Sequence, residues 1–301
     1  MKKPLVSVVM ITYGHETYIR EAIEGVLMQE CDFDIELIVS NDCSPDKTHE
    51  VIKDIINTHP RANIINYFNH KENIGMMPNF LFALKQAKGE YVALCDGDDY
   101  WIDTLKLNRQ FLFINQNESC VACFENAQIK LSDGTFLRYY YEISEPKKFS
   151  PNEMFLLGGS TFPTSTFFFK NCIDYYPDFF NNSHAGDSCL LFLLLDKGNI
   201  IYDCFAVSSV YRKHKSGVYT SSNDKFSEMK KSIILYKKVN KFFIFKYNKE
   251  INNAIQKQLI VIFNSIGFFN AKNIELLKIL NIIDVYTIIK SKFLIKFNGN
   301  K

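Results

Sequence analysis

Apolar and polar residues alternate in blocks along the first hundred positions. Residues 5–12 (LVSVVMIT) form a short, nearly continuous apolar run, which predicts a strand buried on both faces. In residues 16–28 the apolar positions Ile19, Ala22, Ile23, Val26 and Leu27 recur at helical spacing and predict one amphipathic helix. Residues 35–39 predict a second strand, and the following NDCSPDKT offers Ser44 or Asp46 as the cap of a helix over 48–57. A third strand over 64–68, the turn-rich HKENIGMM, a helix near 79–87 and a fourth strand over 91–95 complete the series. Strand and helix alternate four times over, the pattern of an open, mostly parallel α/β sheet flanked by helices.

The second half is less regular. It predicts a helix from Asp103 to about 115, strands over 121–129 and 135–141 joined by a Ser132-Asp133-Gly134 turn, and a short strand over 166–169. A strongly apolar helix over 187–196 and one or two strands over 200–211 follow. After Ser222 glycine nearly vanishes and Lys, Asn, Ile and Phe recur at helical spacing. The chain therefore divides into a domain over 1–224 and a helical tail over 225–301. Open α/β sheets bind ligands outside the carboxyl ends of their strands. Here those ends carry Thr12-Tyr13-Gly14-His15, Asn41-Asp42, residues 69–75 and Asp96-Gly97-Asp98-Asp99, which are expected to face one polar crevice.

With 47% hydrophobic and 15% aromatic residues, the 301-residue chain can bury a sizeable core and is not disordered. A net charge of +2 argues against a nucleic-acid binder, which is usually strongly basic. That near-neutrality conceals an asymmetry: residues 225–301 hold 15 Lys against four acids, Glu228, Glu250, Glu275 and Asp284. The eight cysteines are scattered, and Cys120-x-x-Cys123 has no partner pair, so reduced thiols in a cytoplasmic protein are expected rather than a zinc or redox site. The opening MKKPLVSVVMITYGHE imitates a signal peptide, but its apolar stretch is short and His15 and Glu16 interrupt it. The longest strictly apolar run, residues 189–195, is too short to span a bilayer.

The sharpest chemical signal is CDGDDYW at 95–101, three aspartates packed around a glycine. Like charges so close repel, and a hard divalent cation holding a diphosphate would relieve them. An exposed turn or a calcium loop is the competing reading, but the alternating oxygen ligands and closing Glu of an EF-hand are missing. The chain has no G-x-x-x-x-G-K-[ST], its first strand ends in TYGHE rather than G-x-G-x-x-G, and no G-x-S-x-G elbow occurs. A nucleotide would have to be recognised by side chains: Tyr13 can stack on a base, and Asp42 can accept a hydrogen bond from a pyrimidine N–H or a ribose hydroxyl.

Six stretches together resemble the family 2 glycosyltransferases of bacterial surface-polysaccharide assembly. They are VSVVMITYGHETYIREAIEGVLMQ, ELIVSNDCSPDKT, ENIGMMPNF, GEYVALCDGDDYWIDTLKL, the GDSCLLFLLLDKG block and YRKHKSG, spanning about residues 5–217 in the family's order. The resemblance implies a GT-A nucleotide-diphospho-sugar transferase fold with the helical tail appended. It implies that Thr12 and Tyr13 hold the base, that Asp42 contacts the nucleoside, and that Asp96 lies near the ribose and diphosphate. Asp98 would be the metal ligand, Mn2+ or Mg2+, with Asp99 assisting, His214 reaching the metal and Arg212 touching phosphate. Asp187 would be the general base for the acceptor. Ser188 departs from the pattern, since many relatives carry an aromatic there, which puts the size of the acceptor pocket in doubt.

The implied reaction is inverting transfer of a sugar from a nucleoside-diphosphate donor, a UDP-sugar being expected, to a saccharide or lipid-linked saccharide acceptor. Taken alone, Asp187 reads more readily as a helix N-cap than as a base, and His214 can be read as part of a solvated basic turn. Trp101 reads as core or acceptor-shelf packing. A sugar-nucleotide nucleotidyltransferase and a non-catalytic sugar-binding protein are the other classes; the first would carry a glycine-rich basic loop, and the second need not keep Asp96, Asp98 and Asp187 together. In the tail, Ile233, Ile234, Tyr236, Val239, Phe242 and Phe243, and again Leu276, Leu277, Ile279, Leu280, Ile282 and Ile283, recur at helical spacing. Two readings stand: helices packed on the catalytic domain, or a basic surface resting peripherally on the anionic inner face of the membrane.

Overall fold

A computed structural model describes residues 3–139, 144–158, 162–214 and 225–266. The chain forms two compact units, one of residues 1–149 and 159–220, the other of 150–158 and 221–301. Residues 150–158, on the first side of the division expected at 224, group with the second unit.

In the first unit, β1 (Val6–Thr12) runs parallel between β2 (Ile35–Asn41) and β4 (Tyr91–Leu94), with β3 (Ile65–Asn69) parallel outside β2. Every residue of β2 and β4 is buried, and all of β1 except Ile11. That burial on both faces is why these strands read as unbroken apolar runs rather than alternating ones. The helices α1 (Ile19–Leu27), α2 (Thr48–Thr58) and α3 (Met76–Gln86) intervene. The buried side of α1 is Ile19, Ala22, Ile23, Val26 and Leu27, the face its spacing predicts.

Beyond β4 the sheet changes character. The chain continues through β5 (Tyr100–Trp101), α4 (Lys106–Gln116), β6 (Cys120–Leu131), β7 (Phe136–Tyr139), β8 (Lys147–Lys148), α5 (Pro151–Leu157), β9 (Phe168–Lys170), α6 (Asp178–Asn181), α7 (Gly186–Leu195) and β10 (Asn199–Lys213). The sheet order is β3-β2-β1-β4-β9-β6-β10-β5, with β7 on β6 and β8 on β10. Short β9 inserts antiparallel to both β4 and β6, so the parallel half passes into a mixed half. The expected 132–134 turn forms, with Gly134 at φ +85° and the Leu131 amide donating to Thr135 O nearby in reverse, at 2.8 Å. Residues 140 and 141 of the expected second hairpin strand lie outside the described residues.

Helix α7 is buried along all of Ser188–Leu195, which is why it shows no polar stripe. It starts at Gly186, where a Cβ would stand 2.8 Å from Phe80 Cδ1 on α3. Trp101 is core: it is 1% exposed and its indole N–H donates to Ser165 O at 2.6 Å. All eight cysteines are free thiols, and in the C-x-x-C pair burial pushes Cys120 up to about 11 and Cys123 well up, against the reactivity a redox pair needs.

The second unit contains α5 and two longer helices, α8 (Lys225–Phe242) and α9 (Asn248–Ile266). Ser150 and Glu153 close a capping box on α5, with Pro151 at its first position. Phe155 packs its ring 5.6 Å from that of Tyr247, and the Tyr236 hydroxyl donates to Phe155 O at 2.6 Å. Ile233, Tyr236 and Val239 are buried, as helical spacing predicts, whereas Phe242 faces solvent. The run from Leu276 to Ile283 lies outside the described residues. Among the described residues, no helix is long and apolar enough to cross a membrane.

The joint between α1 and β5 generates a prediction. A Cβ on Gly25 would meet Trp101 N and O, both at 2.9 Å, and these are backbone atoms that cannot swing away. Alanine normally favours a helix over glycine by about 1 kcal/mol, but overpacking costs about 1–3 kcal/mol. Gly25→Ala should therefore lower stability in urea denaturation. An equal or higher midpoint would show that α1 can move off β5 at little cost.

Candidate active site

The loops after the parallel strands are tied to one another by side chains. Gly14 adopts φ +71° and its amide donates to Ser44 Oγ at 3.0 Å, while the His15 amide donates to Thr48 Oγ1 at 2.9 Å. Asp46 accepts from the Glu16 amide and, through its other oxygen, from the Thr48 amide at 3.1 Å. Ser44 and Asp46 thus join the β1 and β2 loops, and Lys47 rather than either of them occupies the cap position of α2. Asp42 is 3% exposed, and its two carboxylate oxygens accept from the Ile74 and Gly75 amides at 2.7 and 2.9 Å. Its amide donates to Thr12 O at 3.0 Å, so Asp42 draws the loops of three strands together. Tyr13 stands 48% exposed beside this network, and Thr12 is buried.

The acidic loop folds directly against Thr12. Gly97 donates its amide to Ile11 O at 2.9 Å, and a Cβ there would lie 2.7 Å from Thr12 Oγ1 and 3.0 Å from His15 Nδ1. The three aspartates take three different environments. Asp99 is buried and accepts from the Arg212 amide at 2.9 Å; burial first, then the charge of Asp98, raises its pKa well above the ordinary range. Asp98 Oδ2 lies 3.0 Å from His214 Nε2 and 3.8 Å from His15 Nε2. Burial works against its ionisation, but the His214 hydrogen bond and the two imidazoles outweigh it and hold the pKa below normal. Among the described residues Asp96 has no such partner: burial, then the charges of Asp98 and Asp187, push it up to about 8.

Arg212 and His214 leave the end of β10 toward this loop. The Arg212 guanidinium donates to Asp98 O at 2.6 Å and to Glu21 Oε2, and lies 4.2 Å from the Tyr100 ring centroid and 5.1 Å from that of Tyr18. It braces the acidic loop from the side of α1. His214 is buried, with the Tyr18 ring 5.0 Å from its own. Asp187 sits one residue inside α7, not at its cap, which is Ala185. Its Oδ1 accepts from the next amide, Ser188, at 2.6 Å, where the helix dipole favours a carboxylate.

The chemistry of the donor set can be tested against a divalent cation. Among the described residues, no group of three or more His, Cys, Asp or Glu could hold a metal by protein ligands alone. Asp98 and His214 present one oxygen and one nitrogen 3.0 Å apart. That is the spacing of adjacent corners of an octahedron with bonds of about 2.1 Å. A two-ligand site finished by phosphate oxygens and water suits magnesium or manganese, so the residues fit such an ion.

Thr12, Asp96, Asp98, Asp99, Arg212 and His214 are brought together, with Asp187 close enough to act on Asp96 electrostatically. Asp42 and Tyr13 stand one loop away. Sequence reading missed Tyr18, Glu21 and Ser165, whose side chain bonds Asp99, and gave His15 a place at the strand end without a partner. Tyr18 and Glu21 lie on α1 beside residues read only for their apolar spacing, so nothing local marked them. Burial first lowers the His15 pKa, opposed by Asp98.

Residues 7–173, more than half of the chain, match the family described as glycosyl transferase family 2. An uncharacterized protein of Mycobacterium tuberculosis is 38% identical over 128 residues, which cover 42% of this chain and only 36% of that one. The minor teichoic acid biosynthesis protein GgaB of Bacillus subtilis is 38% identical over 94 residues, 31% of this chain and 10% of that protein. The chain thus spans about a third or less of the length of these relatives. Among solved structures, S. aureus TarS 1-349 in complex with UDP-GlcNAc superposes with a TM-score of 0.62 at 18% identity, over 95% of this chain and 78% of that one. The mannosyltransferase PcManGT of Pyrobaculum calidifontis, in complex with GDP-Man and Mn2+, gives 0.57 at 16% identity, over 98% and 86%.

The elevated Asp96 predicts a pH-dependent stability. An unfolded Asp titrates near about 3.9, whereas the folded carboxyl keeps its proton up to about 8. Between those limits the native state binds more protons, so stability falls as pH rises through the window and levels off above it. Asp96→Asn carries no charge to bury. In ligand-free protein its Tm should exceed the parent's by a margin that grows from about pH 4 to about pH 8. A margin that does not change with pH would show Asp96 to be ionised throughout.

Proposed function

The chain belongs to glycosyl transferase family 2 and has the GT-A fold, and on that premise we propose that it transfers a sugar from a nucleoside-diphosphate donor to an acceptor hydroxyl in surface-polysaccharide synthesis. The observation that carries this reading is the Asp98–His214 pair, 3.0 Å apart beside two carboxyls that burial makes costly to ionise. A diphosphate brought in with a cation is the ligand that such an arrangement accommodates.

In the proposed reaction Asp187 accepts the proton of the acceptor hydroxyl as that oxygen attacks the anomeric carbon from the face opposite the diphosphate. One displacement inverts the configuration, and a base in this role contributes about 10²–10⁴-fold in rate. Asp98 and His214 would hold Mn2+ or Mg2+, which would supply Lewis-acid stabilisation of charge on the departing diphosphate. Asp96 and Asp99 lie toward the ribose and diphosphate. Arg212 contributes by bracing the loop at Asp98 O and at Asp99, and Thr12 supports the same loop through its contact with Gly97.

A UDP-sugar is the proposed donor, with Tyr13 exposed for base stacking and Asp42 meeting the nucleoside through lone pairs that the Ile74 and Gly75 amides leave. The complexes of TarS with UDP-GlcNAc and of PcManGT with GDP-Man and Mn2+ support a nucleotide-sugar donor and a divalent ion. The name of GgaB supports a cell-wall polymer as the setting. The acceptor is a saccharide or lipid-linked saccharide, and the lysine excess of 225–301 would hold the protein peripherally on the anionic inner face of the membrane.

Two substitutions test the roles. Asp98→Ala should abolish manganese-dependent UDP binding in calorimetry while leaving the Tm of the free protein close to the parent's; unchanged binding would remove the metal site from this loop. Asp187→Asn keeps the shape and the hydrogen bond to Ser188 but cannot take a proton. Its kcat should fall by about 10²-fold or more with donor affinity unchanged, and a variant that turns over normally would need another base.

A further inference from the structure

The turn between α8 and α9 is built in an unusual way. The Phe245 amide donates to Asn240 O at 2.9 Å and the Ile244 amide to Lys241 O at 3.1 Å. These are the two bonds of a Schellman helix end, in which the residue at the Ile244 position takes a left-handed conformation and is usually glycine. Ile244 has φ +49° and Phe245 φ +62°. A β-branched side chain in this region is an outlier, since its Cβ crowds the backbone. The chain gains no burial in exchange: Ile244 is 86% exposed, Phe245 61% and Phe242 39%. The turn is nevertheless well anchored, with Asn240 Nδ2 donating to Asn248 Oδ1 at 2.9 Å and the Phe243 ring 5.3 Å from that of buried Tyr247.

Charge surrounds this apolar tip on one sign. Residues 237–250 hold Lys237, Lys238, Lys241, Lys246 and Lys249 against the single acid Glu250. Lys238, Lys241, Lys246 and Lys249 are exposed. Strain spent on displaying apolar side chains in a segment flanked by exposed lysines matches a surface that is apolar beneath and anionic on top. An acidic protein partner would meet the lysines but offers no reason for two strained apolar residues at the tip.

We propose that the α8–α9 turn is a bilayer wedge: Ile244, Phe245 and Phe242 enter the acyl boundary of an anionic leaflet while Lys238, Lys241, Lys246 and Lys249 engage its headgroups. This deepens the membrane attachment of the proposed function, which by itself needs only charge, and it rests on that reading. The wedge adds an apolar component that salt does not screen.

The test uses the full chain with vesicles of phosphatidylglycerol and phosphatidylcholine, and of phosphatidylcholine alone. Phe245→Trp reports insertion, because the native Trp101 is buried and gives a constant background. Its emission should shift to the blue with anionic vesicles and be quenched by brominated acyl chains. The double variant Ile244→Asn, Phe245→Gly removes the wedge but suits the left-handed turn, so its Tm should equal or exceed the parent's while vesicle affinity falls by about tenfold or more. Parent-like flotation of the double variant, released by salt, would overturn the wedge and leave the charge-based attachment standing. No flotation of the parent at low salt would overturn both. A tryptophan at 245 that is already blue-shifted and shielded from acrylamide without vesicles would show the tip covered by residues 267–301 or a second copy, and would also overturn the wedge.

Discussion

The carboxyl edge of the sheet is organised by the mutual repulsion of Asp96, Asp98 and Asp99. Three carboxyls within four residues cannot share one solution, and the fold gives each a separate one. Asp99 receives a main-chain donor from Arg212, Asp98 is flanked by two imidazoles, and Asp96 retains its proton. Because Arg212 contacts Glu21, Tyr18 and Tyr100 as well, the loop is braced against α1 and β5 rather than hanging from β4. The unliganded site stores unfavourable electrostatics, and binding a positive charge releases it. Affinity for a cation and the cost of ionising Asp96 are two sides of one arrangement.

The loops after β1, β2 and β3 are arranged by a different principle. Their amides are satisfied by side chains some thirty residues away in sequence: Gly14 by Ser44, Glu16 by Asp46, Ile74 and Gly75 by Asp42. Such bonds bring distant strand ends into register without a glycine-rich phosphate cradle. They also mean that Asp42 already orders the 74–75 turn, so any contact it makes to a nucleoside uses the remaining lone pairs of oxygens that are engaged beforehand.

The parallel half of the fold was legible because its strands are buried on both faces and its helix α1 on one, so periodicity alone located them. The acidic loop was legible because nothing in packing explains three charges after an apolar strand. What escaped were the short pieces, β5, β8, β9 in its antiparallel sense, and α6, whose two to four residues are too few for any period to register. The partners of the site escaped for another reason. Glu21 is a charged residue on an amphipathic helix, indistinguishable from any solvated glutamate until β10 delivers Arg212 across 191 positions of sequence. The capping assignment for Ser44 and Asp46 found the right residues and the wrong duty, since both are used between loops.

Gly97 has a consequence for how the acidic motif of this chain could change over time. In the abstract pattern D-x-D the middle position is free. Here a methyl group at 97 would press 2.7 Å from Thr12 Oγ1 and 2.8 Å from its Cβ. The obstruction comes from the end of β1, eighty-five positions earlier, and not from any ligand. A mutational path that introduces a side chain between the two aspartates therefore requires position 12 to shrink and His15 to give way, and a smaller residue at 12 would alter the packing at the end of β1. The two stretches are locked to each other by volume, so that drift at either one has to pass through the other.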